Sequence, residues 1–140
     1  MDKELKKLIV LDNYNNPFHK EERKNSDSFI KIRTNNESCI DDLNIYFKIE
    51  NGIIKDAYFN GEACAISTSA TSIMLKKLIG KTLKDAKELL INYQNMINEK
   101  EYDSSILEEA IVYQDISKEP NRINCATLTW KGMKDYLEKK

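Results

Sequence analysis

Residues 43–60 read LNIYFKIENGIIKDAYFN. Leu43, Ile45, Phe47 and Ile49 alternate with Asn44, Tyr46, Lys48 and Glu50. A period of two puts the first set on one face of a half-buried strand. Asn51-Gly52 follows, a dipeptide that tolerates the positive φ angles of a two-residue hairpin turn. IIKDAYFN (53–60) is then the return strand. Upstream, SFIKIRT (28–34) alternates Ile30 and Ile32 with Lys31 and Arg33. These three runs predict an antiparallel meander with one face in need of cover.

Helices supply that cover. AISTSATSIMLKKLIG (65–80) carries Ile66, Ile73, Leu75, Leu78 and Ile79, with Gly80 as its C-cap. Thr82 caps a second helix, TLKDAKELLINYQNMINEK, with Asp85 at N3. Asp103 caps a short helix over 103–112. A last helix follows Pro120, with Leu128, Met133 and Leu137 as its inner face. At the other end, DKELKKLIVL (2–11) reads as a short helix presenting Leu5, Leu8 and Ile9. The polar, Asn-rich run DNYNNPFHKEERKNS after it reads as a long loop. Strands first and helices after make this α+β: a three-stranded antiparallel sheet covered by helices on one face. No repeat or linker divides the 140 residues, so one domain over 1–140 is expected.

Lys+Arg is 22 and Asp+Glu is 23, a formal net charge of −1. This balance gives no bulk electrostatic reason to expect nucleic acid or an anionic membrane as partner. No run approaches the ~18 apolar residues of a membrane span. MDKELKKLIVLDNY lacks the apolar core and cleavage site of a signal peptide, so the expected compartment is the cytoplasm.

The three cysteines are Cys39, Cys64 and Cys125. Their spacing matches no zinc finger, and spacing by itself favours three unrelated buried thiols. Position adds more. Cys39 lies in the loop between the first two strands, Cys64 opens the helix after the third strand, and Cys125 sits in the first turns of the last helix. Helix N-termini carry partial positive charge, which favours the thiolate that binds metals and attacks sulfur. Asp41, two residues after Cys39, points to the same side of an extended segment. If the junctions converge, three thiolates and one carboxylate form a set suited to Zn²⁺ or to an iron–sulfur cluster. His19, in a polar loop, is read as exposed. The Ser/Thr run 67–72 is read as packing, with hydroxyls bonding back to helix carbonyls.

At this point the motifs resemble a known family. YNNP (14–17), Cys39-Ile40-Asp41, GIIKDAYFNGEACAISTSATSIM (52–74) and PNRINCATLTW (120–130) are similar, in this order, to segments of the NifU-like, IscU-type iron–sulfur cluster assembly scaffolds. The likeness is greatest to the SufU branch. Residues 98–119 look like that branch's insertion, and Asn124 stands where IscU-type scaffolds have a histidine before the third cysteine. Two family glycines are replaced, by Ile40 and Ala63. Phe18-His19 also departs from the Arg-Asn common after Asn-Pro.

The resemblance implies a Zn²⁺ site made by Cys39, Asp41, Cys64 and Cys125, with Arg122 a motif position near it. It implies a sulfurtransferase-like accessory protein, not a hydrolase. Cys39 would accept persulfide sulfur from a PLP-dependent cysteine desulfurase of SufS type and relay it to downstream Fe–S assembly or apo-proteins. The alternative within the family is a scaffold on which an Fe–S cluster is built. No nucleic acid or membrane partner is implied.

Overall fold

The computed structural model describes residues 1–24, 27–36 and 40–139. Helix α1 (Lys3–Asn15) is followed by strands β1 (Ile30–Asn35), β2 (Asp42–Glu50) and β3 (Ile53–Glu62). Then come α2 (Ala65–Leu78), α3 (Leu83–Ile97), the single turn α4 (Ser104–Leu107), 3₁₀ turns at Glu108–Tyr113 and Ile116–Lys118, and α5 (Pro120–Glu138). The sheet is antiparallel in the order β1-β2-β3. Asn51 and Gly52 both have positive φ (53° and 73°), as the hairpin signal predicts. The pairing places Ile45 opposite Phe59 and Phe47 opposite Ala57. Leu43, Ile45, Phe47 and Phe59 are fully buried beneath the helices. Among the described residues no helix is long and apolar enough to cross a membrane.

Helix α2 runs through the middle of the molecule, so both of its sides are covered. Helix α5 lies on β1 and α2. Its Gly132 permits the close approach to the sheet, since a Cβ there would stand 2.7 Å from Thr34 Cγ2. Trp130 stacks on Tyr93 of α3 at 3.7 Å between ring centres, and its Nε1 donates to Ala70 O of α2 at 3.0 Å. The inner face of α5 is therefore Ala126, Thr129, Trp130, Met133 and Leu137. Leu128 is only half-buried, a correction to the sequence reading.

Helix α1 also departs from expectation. It is longer, continuing through Asp12–Asn15, and Asp2 caps it by accepting from Leu5 N–H. Its buried residue is Asn13, with Ile9 and Val10 packed beside it. Leu5 and Leu8 point to solvent. Asn13 can lie inside because its amide donates to Ile9 O and its oxygen accepts from Ser72 Oγ. The chain then runs beside β3, where Phe59 N–H donates to His19 O and Glu21 N–H to Phe59 O. His19 is half-buried rather than exposed. Its ring stacks on Phe18, and its Nδ1 lies 2.9 Å from Ala57 O.

Arg23 and Phe29 also reach the second face of the sheet. There Tyr46 and Tyr58 stack, and the Arg23 guanidinium sits 4.5 Å over the Tyr58 ring. The helical layer is thus on one face, as predicted, with an aromatic patch on the other. Thr82 and Asp103 cap α3 and α4 as expected. The segment after α4 continues as 3₁₀ turns, because Glu108 has φ 49° and breaks the α-helix. Gly80, at φ 92°, follows the C-cap residue Ile79 of α2.

Candidate metal centre

Three elements end at one corner of the molecule. Asp41 immediately precedes β2. Cys64 follows β3 and is the N-cap of α2, its sulfur accepting from Ser67 N–H at 3.5 Å. Cys125 is in the second turn of α5. The hairpin must close tightly to bring Cys64 back beside Asp41, and Gly61 makes that possible. Gly61 has φ 117°, and a Cβ there would fall 2.1 Å from Asp42 O.

One ligand atom from each of Asp41, Cys64 and Cys125 lies within 4.8 Å of the others, close enough to share a metal ion. Asp41 is almost fully buried. Its Oδ1 accepts from Cys64 N–H at 2.8 Å, and its Oδ2 accepts from Ser67 Oγ at 2.5 Å and lies 3.9 Å from Cys64 Sγ. Burial alone would raise the carboxyl. The hydrogen bonds from Ser67, the Cys64 amide and the two thiols outweigh it and hold the group below the usual carboxylate range. The Cys125 thiol moves the other way. Burial pushes it well up, and the neighbouring Asp41 and Cys64 add to the rise. Cys125 lies beyond the first turn of α5, so the helix terminus does not supply the thiolate stabilisation expected from the sequence.

These observations test whether a metal suits the corner. Two sulfurs and a carboxylate oxygen converge, and their charged forms disfavour one another until a cation is present. The donor types and their convergence fit a thiophilic ion such as Zn²⁺.

Cys39 lies outside the described residues. Arg122 is exposed and reaches Glu119 at 3.7 Å. It stands one turn before Cys125, on the wall of a groove between α1 and α5. The exposed Ile40 and the half-buried Ala63 occupy the two substituted glycine positions. Asp42 points outward to Arg33, at 2.8 Å.

Sequence reasoning missed Ser67. Its hydroxyl lies within hydrogen-bond distance of both Asp41 Oδ2 and Cys125 O, so it ties two of the three ligand-bearing segments together. The signal was available: Ser67 is N3 of the helix that Cys64 caps. The Ser/Thr run as a whole does more than bond back. Thr71 does bond to Ser67 O, but it also meets Thr129 of α5. Ser69 meets Tyr113, and Ser72 joins Asn13 to Phe18 N–H.

An α+β fold whose loop ends gather two thiols and a carboxylate defines a class that comparison with known proteins makes specific. Residues 6–135 match the NifU-like N terminal domain, and the chain belongs to this family. It is 35% identical to the zinc-dependent sulfurtransferase SufU of Bacillus subtilis (strain 168), over 96% of this chain and 90% of that one. It is also 35% identical to the iron–sulfur cluster assembly scaffold protein IscU of Thermotoga maritima, over 74% of this chain and 73% of that one. Among solved structures it is similar to FiSufU, a SUF-system scaffold protein from Fervidobacterium islandicum AW-1. That match has a TM-score of 0.82 at 31% identity and covers 94% of this chain and 92% of the other.

Proposed function

We propose that this protein is a zinc-dependent sulfur-transfer protein of iron–sulfur cluster assembly, of the SufU type. The observation that carries the reading is the convergence of Asp41, Cys64 and Cys125 within 4.8 Å. Similarity to the B. subtilis sulfurtransferase along almost the whole chain supports it. In this reading Cys39 completes a four-ligand set with these three, in one domain spanning the chain. The donor is a cysteine desulfurase of SufS type, the compartment is the cytoplasm, and sulfur passes on to cluster assembly or to apo-proteins.

When bound, Zn²⁺ would keep its cysteine ligands deprotonated at neutral pH. The chain's own groups do the rest. Ser67 Oγ and Cys64 N–H hold the two carboxylate oxygens of Asp41 in place. Cys64, at the N-cap of α2, lies where the helix field favours an anion. Sulfur arrives by exchange. The Cys39 thiolate attacks the outer sulfur of the donor's persulfide, forming a new S–S bond on Cys39. The donor's S–S bond breaks and its inner sulfur leaves as a thiolate. The outer sulfur carries its proton or negative charge with it, so no external oxidant or reductant is consumed.

The test is elemental analysis of gently purified protein, paired with a cysteine desulfurase assay. About one zinc per chain is expected, lost in Cys64→Ser. Desulfurase turnover should rise with wild-type protein and not with Cys39→Ala. Failure of the wild type to stimulate the desulfurase would remove the sulfur-transfer role.

The thiol-rich donor set and the similarity to the T. maritima scaffold favour a second reading, in which an Fe–S cluster is assembled here. Anaerobic reconstitution with iron and sulfide separates the two. A coloured protein that passes its cluster to an apo-acceptor supports the scaffold, and a colourless one that retains zinc rejects it.

A further inference from the structure

A groove of about 800 Å³ runs along the molecule between α1 and the wall built by the 3₁₀ turns and the start of α5. Its floor is apolar, made by Val10, Ile66, Val112 and Ile116, with Leu11 at the rim. Five cations line it, Lys3, Lys6, Lys7, Lys118 and Arg122, against two carboxylates, Asp115 and Glu119. The carboxylates are already engaged. Asp115 lies between Lys6 (3.2 Å) and Lys118 (3.9 Å), and Glu119 faces Arg122. Lys3 and Lys7 are exposed and enter none of the ion pairs found among the described residues. The groove is thus a concentrated positive strip on a chain whose net charge is −1. Leu8 (62% exposed) and Leu11 (53%) on α1 extend its apolar surface outward.

Its position gives it meaning. Ile66 lies in the first turn of α2, two residues after Cys64, and Arg122 stands one turn before Cys125. Tyr113, on the wall, meets through its hydroxyl Ser69 of α2, the helix that Cys64 opens. The groove thus shares the first turns of α2 and α5 with the metal corner.

We infer that this groove seats an acidic segment of a protein partner, apolar on the side facing the floor and carboxylate-rich on the side facing Lys3 and Lys7. The unpaired lysines select the sign of the segment, and the floor supplies the buried area that long-range attraction lacks. Lys3 to Leu11 spans about 12 Å of helix, room for roughly two helical turns of the partner. That the partner is the sulfur donor rests on the sulfur-transfer reading. The groove's preference for an acidic segment does not.

Two assays on the full zinc-loaded protein test this separately. The first probe is a fluorescein-labelled helical peptide of about 14 residues, leucines on one face and glutamates on the other. Wild-type protein should bind it saturably at low salt, more weakly as salt rises. Lys3→Glu with Lys7→Glu should weaken binding by about tenfold or more. These changes place acids in or near the first turn of α1, which the helix dipole favours, so folding and zinc content should hold. Lys84→Glu with Lys87→Glu on α3 should bind like wild type. Equal binding by all three proteins overturns the inference. So does binding of phosphatidylserine vesicles or duplex DNA through Lys3 and Lys7 when the peptide fails.

In the second assay, the groove variant should need about tenfold more protein for half-maximal stimulation of the desulfurase. Unchanged half-saturation, with wild type active, removes the groove as donor site and leaves the sulfur-transfer reading standing. Peptide binding through Lys3 and Lys7 without any stimulation by wild type keeps the groove and removes that reading.

Discussion

Helices α1 and α2 invert the usual rule. Helix α2 buries Ser67, Thr68, Ser69, Thr71 and Ser72, whereas α1 exposes Leu5, Leu8 and Leu11. Each exception has a local reason. Most of the hydroxyls inside α2 meet a partner from a different element: Asp41 before β2, Tyr113, Thr129 of α5, or Asn13 of α1. A buried polar group that is paired costs little, and small side chains let four neighbours approach one helix. On α1, Ile9, Val10 and the paired Asn13 already fill the inner face, which leaves the leucines outside. Polarity alone does not decide burial. The availability of partners does.

The largest effect should come from cutting α2 away from α5. Trp130→Ala removes the Tyr93 stack and the bond to Ala70 O, and should cost about 3–5 kcal/mol in urea unfolding. Ser67→Ala should cost about 1–3 kcal/mol, because Asp41 loses a donor while it stays buried. If Asp41 is a zinc ligand as proposed, the same change should weaken zinc binding by about 10–100-fold in a chelator competition, since Ser67 holds its carboxylate in place. A Ser67→Ala protein of wild-type stability and affinity would break the comparison.

Lys77 sharpens it. This α2 cation is buried and reaches Glu108 Oε1 at 2.8 Å. Its hydrogen bond holds the Glu108 carboxyl below the usual range. A lowered folded-state pKa means the stabilisation is full above the ordinary glutamate value, about 4.3, and is lost as pH falls through the lowered one. Lys77→Met should therefore flatten the acid limb of a stability–pH curve and leave the shape above pH 5–6 unaltered, in rough terms. The smallest effect belongs to α1. Leu8→Ser should change stability by no more than about 0.5 kcal/mol. A loss of several times that would mean Leu8 is covered in solution.

Strand pattern was the most legible part of this chain. Leu43, Ile45 and Phe47 alternate without exception, and Asn51-Gly52 leaves one sensible turn between the strands. The capping residues Thr82 and Asp103 were legible for a similar reason, since each acts within three residues of itself. Helix faces were less so. Leu5 and Leu8 are periodic but exposed. Leu128 gave way to Trp130, whose indole has both a ring to stack on and a carbonyl to reach. Asp41, Cys64 and Cys125 could be nominated because each sits at a junction. Ser67 differed from its neighbouring hydroxyls only in standing at N3 of the helix that Cys64 caps, a mark that does not say which distant carboxylate it meets.

What the sequence by itself determined is whatever acts over short range: strand alternation, the hairpin turn, the helix caps and the family motifs that bracket the thiols. The tertiary structure decided which polar groups are buried and whether distant junctions meet. Asp41 and Cys64 are 23 residues apart, and Ser67 and Cys125 are 58 apart. Periodicity carries no information across such separations. Only the closed hairpin, with Gly61 pressed against Asp42, and the seat of α5 on α2 bring those atoms together. The low pKa of Asp41 and the high one of Cys125 follow from that meeting, because both depend on neighbours the chain acquires only when folded.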